Sequence, residues 1–473
     1  MNIGVDYAVT FTKPLINVGG LFDIPTGTFL KGPKGEYILN GGISNITGVV
    51  GKPNNFKSSI MHFLMLSAAD KMAASGIGPY MHTYDTEDNM SLDLDKFNRY
   101  ADRFKYIPKE PVYDPNVWSI VPKTKLPAEK WYKNVLETTK AKIANKKNFV
   151  KYTAFINKYT KKNIELPKPN FVEIDSLSEL EATGTVDMLE KKGLEDTNMI
   201  FMAQGLARTK IIKDLARISH MGNTYFLLTA HLGEEFNIPT GPIGPKNKKQ
   251  LQYLKQGDKI KGVPEKFLFL STHFWLTANT SVLKNQNTGL PEYPNNEDDN
   301  KTDLNLVTLL QLRSKTGPSG IIIKIVVSQR EGVLPHLTQF HYLKEMKYGI
   351  GGNPRSYWIE FCPDIKLQRT TVRKKIDEIP KLRRALELLA QIRQMQEFFP
   401  IYKNYFLPAD EIYNRIKEQG YDWDEILSTR GWWTIDQYNK DLPNYLSALD
   451  LLRMAKGEYK PYWLKQKKEN KNA

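Results

Sequence analysis

The chain has 473 residues, 41% of them apolar, which suits one large α/β domain with one or two smaller ones and argues against disorder. Its 67 Lys and Arg against 52 Asp and Glu leave a formal charge of +15, which favours a polyanionic partner, nucleic acid ahead of an acidic membrane surface. The single cysteine, Cys362, excludes an intramolecular disulfide and a Cys-rich zinc cluster and points to a reducing, cytoplasmic setting. No apolar run is long enough to cross a bilayer, and Met1–Gly20 lacks the layout of a targeting signal.

Residues 1–40 form an N-terminal segment of strand-like and Gly/Pro-rich pieces. Ile43–Val50 then reads as a strand, Gly51-Lys52-Pro53-Asn54-Asn55-Phe56-Lys57-Ser58-Ser59 as a turn, and Ile60–Ala74 as a helix, by the spacing of its apolar residues. Strand, loop and helix in that order make a phosphate-binding loop. Converging backbone N–H groups at the helix N-terminus suit a phosphate, Lys57 neutralises its outer oxygens, and the Ser58 hydroxyl suits magnesium. Phe56 stands where a second glycine is usual, and a bulky side chain there is costly if the position needs a positive φ. A plain surface turn is the other reading of these residues. Tyr80–Tyr84 reads as a short strand ending in Asp85-Thr86-Glu87, whose carboxylates also suit a helix N-cap.

The loop with an aromatic residue immediately before Lys57-Ser58, followed about thirty residues on by Asp85-Thr86-Glu87, resembles that of the phage-type strand-exchange recombinases of the RecA superfamily. The resemblance covers roughly Gly41–Leu343. It implies an α/β fold, with a RecA-like P-loop NTPase core on a mainly parallel sheet over residues 41–350, and an ATPase using ATP and Mg2+. It makes Glu87 the general base that orients and deprotonates the attacking water.

Lys123–Lys168 holds thirteen lysines against three glutamates, with Trp131, Tyr132, Tyr152, Phe155 and Tyr159 interleaved at roughly helical spacing. This predicts two helices with a basic outer face, part of them an insertion, serving either as a solvated surface or as an auxiliary DNA surface. Asn170–Ser176 is a near-continuous apolar strand closed by a carboxylate, as a buried parallel strand would be. By the resemblance, Asp175 is the acidic residue that holds the metal beside Ser58, and His231, closing the strand Tyr225–Ala230 after a helix at Ala207–Ser219, is a sensor of the terminal phosphate. A lone strand-end histidine also suits a structural role.

Gly233–Gly262 is a long polar stretch before a strand at Phe267–Leu276, and a loop of that length in a compact domain is functional or disordered. Between Gly241 and Gly262 it carries Lys246, Lys248, Lys249, Lys255, Lys259 and Lys261 against Asp258 alone, with Phe236 and Tyr253 available to stack on bases. Its place is similar to that of the second DNA-binding loop of RecA-type recombinases. Gly184–Gly205, with Lys191, Lys192 and nearby Arg208, is the candidate first loop.

Strands at Asn305–Leu312 and Ile321–Ser328 flank a hairpin with cations at its base. The resemblance makes Arg313 and Lys315 trans-acting residues presented to the nucleotide of a neighbouring subunit, hence a homo-oligomer. After about Gly351 the pattern turns helical, with helices at Pro380–Phe399, Pro408–Gln419 and Leu442–Ala455, giving a small helical C-terminal domain over residues 351–473 with a basic tail. The expected function is DNA-dependent ATP hydrolysis on single-stranded DNA with strand exchange, in the cytoplasm, the host's if phage-encoded. The alternatives are a RecA-fold hexameric helicase, which carries a similar cation pair, and a DNA-bound mediator with a degenerate nucleotide site.

Overall fold

A computed structural model describes residues 13–76, 78, 80–145, 150–157, 160–180, 197–234, 249–263, 268, 271–295 and 300–464. Its centre is a ten-stranded mixed sheet. Six contiguous strands run parallel. In sheet order they are β11 (His273–Val282), β3 (Ile46–Gly51), β9 (Thr224–Glu234), β8 (Asn170–Asp175), β4 (Tyr80–Asp85) and β5 (Trp118–Pro122). Beyond β11 the sheet continues antiparallel through β12 (Leu304–Ser314), β13 (Ile322–Ser328) and β14 (Gly332–Val333), and the short β10 (Asp258–Ile260) pairs with the far end of β9. The hairpin of β1 (Thr28–Lys31) and β2 (Tyr37–Asn40) stands apart.

The parallel strands read as almost unbroken apolar runs because both faces of the sheet are covered. Side chains alternate across a strand, so neighbours go to different cores. Phe171, Tyr225 and Leu227 pack with helix α2 (Lys57–Ala73), whereas Val172, Phe226 and Leu228 pack under α4 (Ala128–Ala144) and α5 (Thr197–Gly222). Helix α2 is buried over most of its surface against the sheet, so its apolar residues are not confined to one face. The short helices α1 (Asp23–Thr26) and α3 (Leu94–Ala101) flank it.

The first of these cores does not stop at the sheet. It runs from Ile16 and Phe22 through α2 into α6 (Pro335–Met346), α8 (Pro380–Phe398) and α11 (Ala448–Ala455). Polar contacts join the same parts. Trp433 Nε1 donates to Leu15 O at 2.8 Å, Tyr37 N to Asp450 Oδ2 at 2.8 Å, and Gln394 Nε2 to Leu21 O at 3.0 Å, so residues 15–40 are packed between sheet and C-terminal helices.

Three expectations are corrected. Among the described residues the basic segment 123–168 holds one helix, α4, followed by an antiparallel hairpin, β6 (Val150–Ile156) with β7 (Asn163–Pro167). β-branched and aromatic residues on the first arm, Val150, Tyr152, Thr153, Phe155 and Ile156, favour the pleated form, and the Thr153 hydroxyl ties across to Ile164 O at 3.0 Å. The C-terminal region is not purely helical, because β15 (Ile350–Asn353), β16 (Ser356–Ile359) and β17 (Cys362–Leu367) form a three-stranded antiparallel sheet before α7 (Val372–Glu378) and α8. Two further helices, α9 (Ala409–Glu418) and α10 (Trp423–Leu427), precede α11. Helix α11 is shorter than expected, since Ser447 caps it by accepting from Asp450 N at 3.1 Å. No helix of the described residues is long and apolar enough to cross a membrane.

Candidate functional site

The sheet register brings the candidate residues to one end. Gly51 pairs with His231, and Asp85 pairs with Asp175, so the loop after β3 and the ends of β9, β8 and β4 share one crest at the carboxyl ends of parallel strands. Open α/β sheets bind ligands there.

At Gly51 the requirement for glycine is spatial, because a Cβ would stand 1.7 Å from Thr277 Oγ1 on β11. Asn54 and Phe56 take positive φ, 60° and 57°. The positive φ anticipated for position 56 is therefore realised with a phenylalanine. A strained residue of this kind costs about 1–3 kcal/mol, and packing of the half-buried Phe56 ring against the core offsets part of it. Helix α2 starts at the next residue, so Lys57 and Ser58 occupy its first turn.

Lys57 is 7% exposed, and its Nζ donates to Lys52 O at 3.0 Å. Burial lowers its pKa, while the carboxylates of Asp175 and Glu87 pull the other way. Asp175 is buried, which raises its pKa with help from Glu173, and hydrogen bonds from the Thr229 and Ser58 hydroxyls oppose that rise. Glu87 is exposed. Its Oε1 lies 2.9 Å from His231 Nε2, a hydrogen bond that, with the nearby charges of His231 and Lys57, holds its pKa below the usual carboxylate range.

The strand ends are tied together by backbone. Thr86 N donates to Asp175 O at 2.7 Å, and the Thr86 hydroxyl bonds Ser176 O at 2.7 Å. His231 is held on both sides of its peptide. Its N donates to Ser178 Oγ at 2.8 Å, and its O accepts from Lys261 N at 2.9 Å. The stretch returning from the basic loop is thereby bonded to the histidine that touches Glu87.

The Asp85 carboxylate is turned to the backbone instead, accepting from Glu87 N and Met90 N at 3.1 and 2.8 Å and shaping the turn. Glu173 is fully buried beside His62, 3.4 Å from its Nε2. Burial opposes the charged form of His62, but the Glu173 carboxylate outweighs it and raises the pKa. Neither Thr229 nor the His62–Glu173 pair was found by sequence reasoning. The available signal was a glutamate inside an otherwise apolar buried strand, which requires a polar partner on a neighbouring element.

Lys249, Lys255, Lys259 and Lys261 are exposed, the last two at and just after β10, while Lys246 and Lys248 lie outside the described residues. So do Phe236, Lys191 and Lys192, and the backbone of 197–205 belongs to α5. Arg313 and Lys315 lie elsewhere. Gly51 is level with Thr277 and Leu309, and Arg313 is four residues further down β12, about 13 Å at the usual strand rise and away from the crest. Arg313 Nε donates to Ser271 O at 3.2 Å, and Lys315 N donates to Thr272 O at 3.1 Å. Arg313 and Lys315 therefore lie toward the opposite end of the sheet from the Gly51–Ser59 loop.

Among the described residues no group of three or more His, Cys, Asp or Glu could hold a metal ion. Magnesium needs no such cage, since it takes one or two protein oxygens beside substrate phosphates. The Ser58 hydroxyl and the Asp175 carboxylate, beside Lys57, are a donor set of that kind. No protein-family model matches this sequence, and a search of curated proteins returns no match.

Proposed function

We propose that this chain is a RecA-like P-loop ATPase that hydrolyses ATP, binds single-stranded DNA and promotes strand exchange as a homo-oligomer. The observation that carries this reading is the convergence on Lys57, where a buried ammonium at a helix N-terminus lies in the field of the Asp175 and Glu87 carboxylates, at the carboxyl ends of parallel strands. The backbone of Gly51–Ser59 and Lys57 bind the phosphates, and the helix terminus favours their charge. Ser58 and Asp175 would hold a magnesium ion, which when bound neutralises charge on the phosphate oxygens. Glu87 takes a proton from water as its oxygen attacks the γ-phosphorus, the bond to the β-phosphate oxygen breaks, and ADP leaves with inorganic phosphate.

His231 is the sensor in this scheme. Its bond to Glu87 changes when a γ-phosphate enters, and the hydrogen bonds of its backbone N–H to Ser178 and of its carbonyl to Lys261 carry the change to the basic loop. Arg313 and Lys315 are too far from their own subunit's loop to serve it, which supports action on a neighbour. The deciding experiment measures ATP turnover with and without single-stranded DNA and images the ATP–DNA complex by electron microscopy. DNA-stimulated turnover in a helical filament is the expected result. A closed ring would make it a translocating helicase, and no turnover would make it a mediator.

A further inference from the structure

Beneath the phosphate loop runs a chain of buried polar groups that the proposed reaction does not use. Glu173 Oε2 stands 3.4 Å from His62 Nε2 and accepts from Thr83 Oγ1 at 2.8 Å, and that hydroxyl accepts in turn from Trp118 Nε1 at 2.8 Å. His62 and Glu173 are 1% and 0% exposed, and the imidazole packs on Phe97 and Trp118 with ring centroids 4.7 and 5.8 Å away. The chain crosses α2, β8, β4 and β5 in turn. Three of those elements also carry the candidate site. Ser58 lies one helical turn before His62 on α2, Asp175 lies two residues after Glu173 on the same face of β8, and β4 leads directly to Glu87.

A buried ion pair is a poor source of stability, because apolar side chains of similar volume fill such a space as well or better. What it adds is direction. An apolar contact leaves a helix free to turn or slide by fractions of an ångström, whereas an ion pair anchored by two successive hydrogen bonds fixes the rotation of α2 and its height against β8. We propose that His62 and Glu173 are positioning residues, holding the helix that bears Lys57 and Ser58 in register with the strand that bears Asp175. The inference rests on the reading of Gly51–Ser59 as a nucleotide site. A misplacement of about 1 Å at a reacting centre costs on the order of 100-fold in rate, so a pair neutral for stability can still be worth keeping.

The test compares the full-length wild type with His62→Leu/Glu173→Leu, which fills the space with apolar side chains, and with His62→Gln, which keeps a donor facing Glu173. Steady-state ATP turnover, binding of a fluorescent ATP analogue and thermal melting are measured on each. The double variant is expected to melt within about 3 °C of wild type. Its KM should stay within about twofold while kcat falls about 10- to 100-fold, and His62→Gln should keep most of the activity. Glu173→Gln, which keeps the volume and removes the charge, repeats the comparison should the double variant not fold. Wild-type kcat in either Glu173 variant overturns the inference alone. A wild-type protein that neither binds the analogue nor hydrolyses ATP overturns the nucleotide-site reading, and this inference with it.

Discussion

His231 Nε2 and Glu87 Oε1 meet at 2.9 Å although their strands, β9 and β4, are separated in the sheet by β8. The contact passes over the end of the strand that presents Asp175. Any group entering between the loop and these strand ends meets all three residues together.

The first consequence concerns Glu87 itself. If it is the base, Glu87→Gln should bind ATP within a fewfold of wild type and lose at least about 100-fold in kcat, because the carboxamide fits but takes no proton. Its pKa is lowered in the fold, so the carboxylate stays ionised as pH falls through the usual carboxylate range. The acid limb of a pH–rate profile due to this residue should therefore lie below that of an ordinary glutamate. A Glu87→Gln enzyme with wild-type kcat would move the base elsewhere.

Lys57→Ala should abolish hydrolysis and ATP-dependent DNA affinity, since the phosphates lose the cation buried in the loop. Stability should not suffer, because the substitution removes a buried ammonium whose burial lowers its pKa. Turnover assays alongside denaturant titration check both halves, and normal turnover would dismiss the site.

Phe56 offers a test of backbone strain. Phe56→Gly removes a positive-φ penalty of about 1–3 kcal/mol and also loses ring packing of about 1–2 kcal/mol, so folding stability should fall between a loss of about 1 kcal/mol and a gain of about 2 kcal/mol. Phe56→Val loses the packing and keeps a worse penalty, so it should cost about 2 kcal/mol or more. Equal stability of the two variants in urea titrations would mean that residue 56 does not hold the left-handed conformation.

The opposed ends of the sheet give a complementation test. Arg313→Ala/Lys315→Ala should remove DNA-stimulated hydrolysis, and so should Lys57→Ala. Mixing the two proteins creates interfaces that pair an intact loop with intact cations, so activity should return to roughly a quarter of wild type at equal amounts if active neighbours pair at random. Silence at every ratio would show that the cations do not serve a neighbour.

Lys249, Lys255 and Lys259 are exposed on the chain that returns to His231. Replacing all three with Gln should flatten the dependence of single-strand affinity on the logarithm of salt by up to about two units, at roughly 0.7 per lost phosphate contact. Basal hydrolysis should survive. An unchanged slope would shift attention to the lysines of the 123–168 segment.

Much of this site was legible in the sequence because its signals are local. The Gly51–Ser59 loop, the apolar run before Asp175 and the strand before His231 each declare themselves within about ten residues, and the structure brings them to one crest. What could not be read depends on pairing across the sheet. Nothing near Glu87 announces His231, 144 residues away, and nothing near His62 announces Glu173. The hairpin after α4 was misread as a second helix because lysines mask the alternation of Val150–Ile156. The strands of 350–367 were missed because Gly351, Gly352 and Pro354 read as turn residues, whereas only Pro354 lies in the turn and both glycines belong to the strand before it.

The core that joins Ile16 and Phe22 to α8 and α11 also has a bearing on how the protein is made. The segment around Leu15 and Tyr37 leaves the ribosome early, yet its partners Trp433 and Asp450 are synthesised about four hundred residues later. At translation speeds of about 5–20 residues per second, that segment waits on the order of 20–80 s with its apolar residues uncovered. Closing contacts of such separation is slow in itself. A nascent chain stalled before α11 would leave Tyr37 N without its Asp450 partner, so the growing polypeptide is a natural client for chaperones until that helix docks.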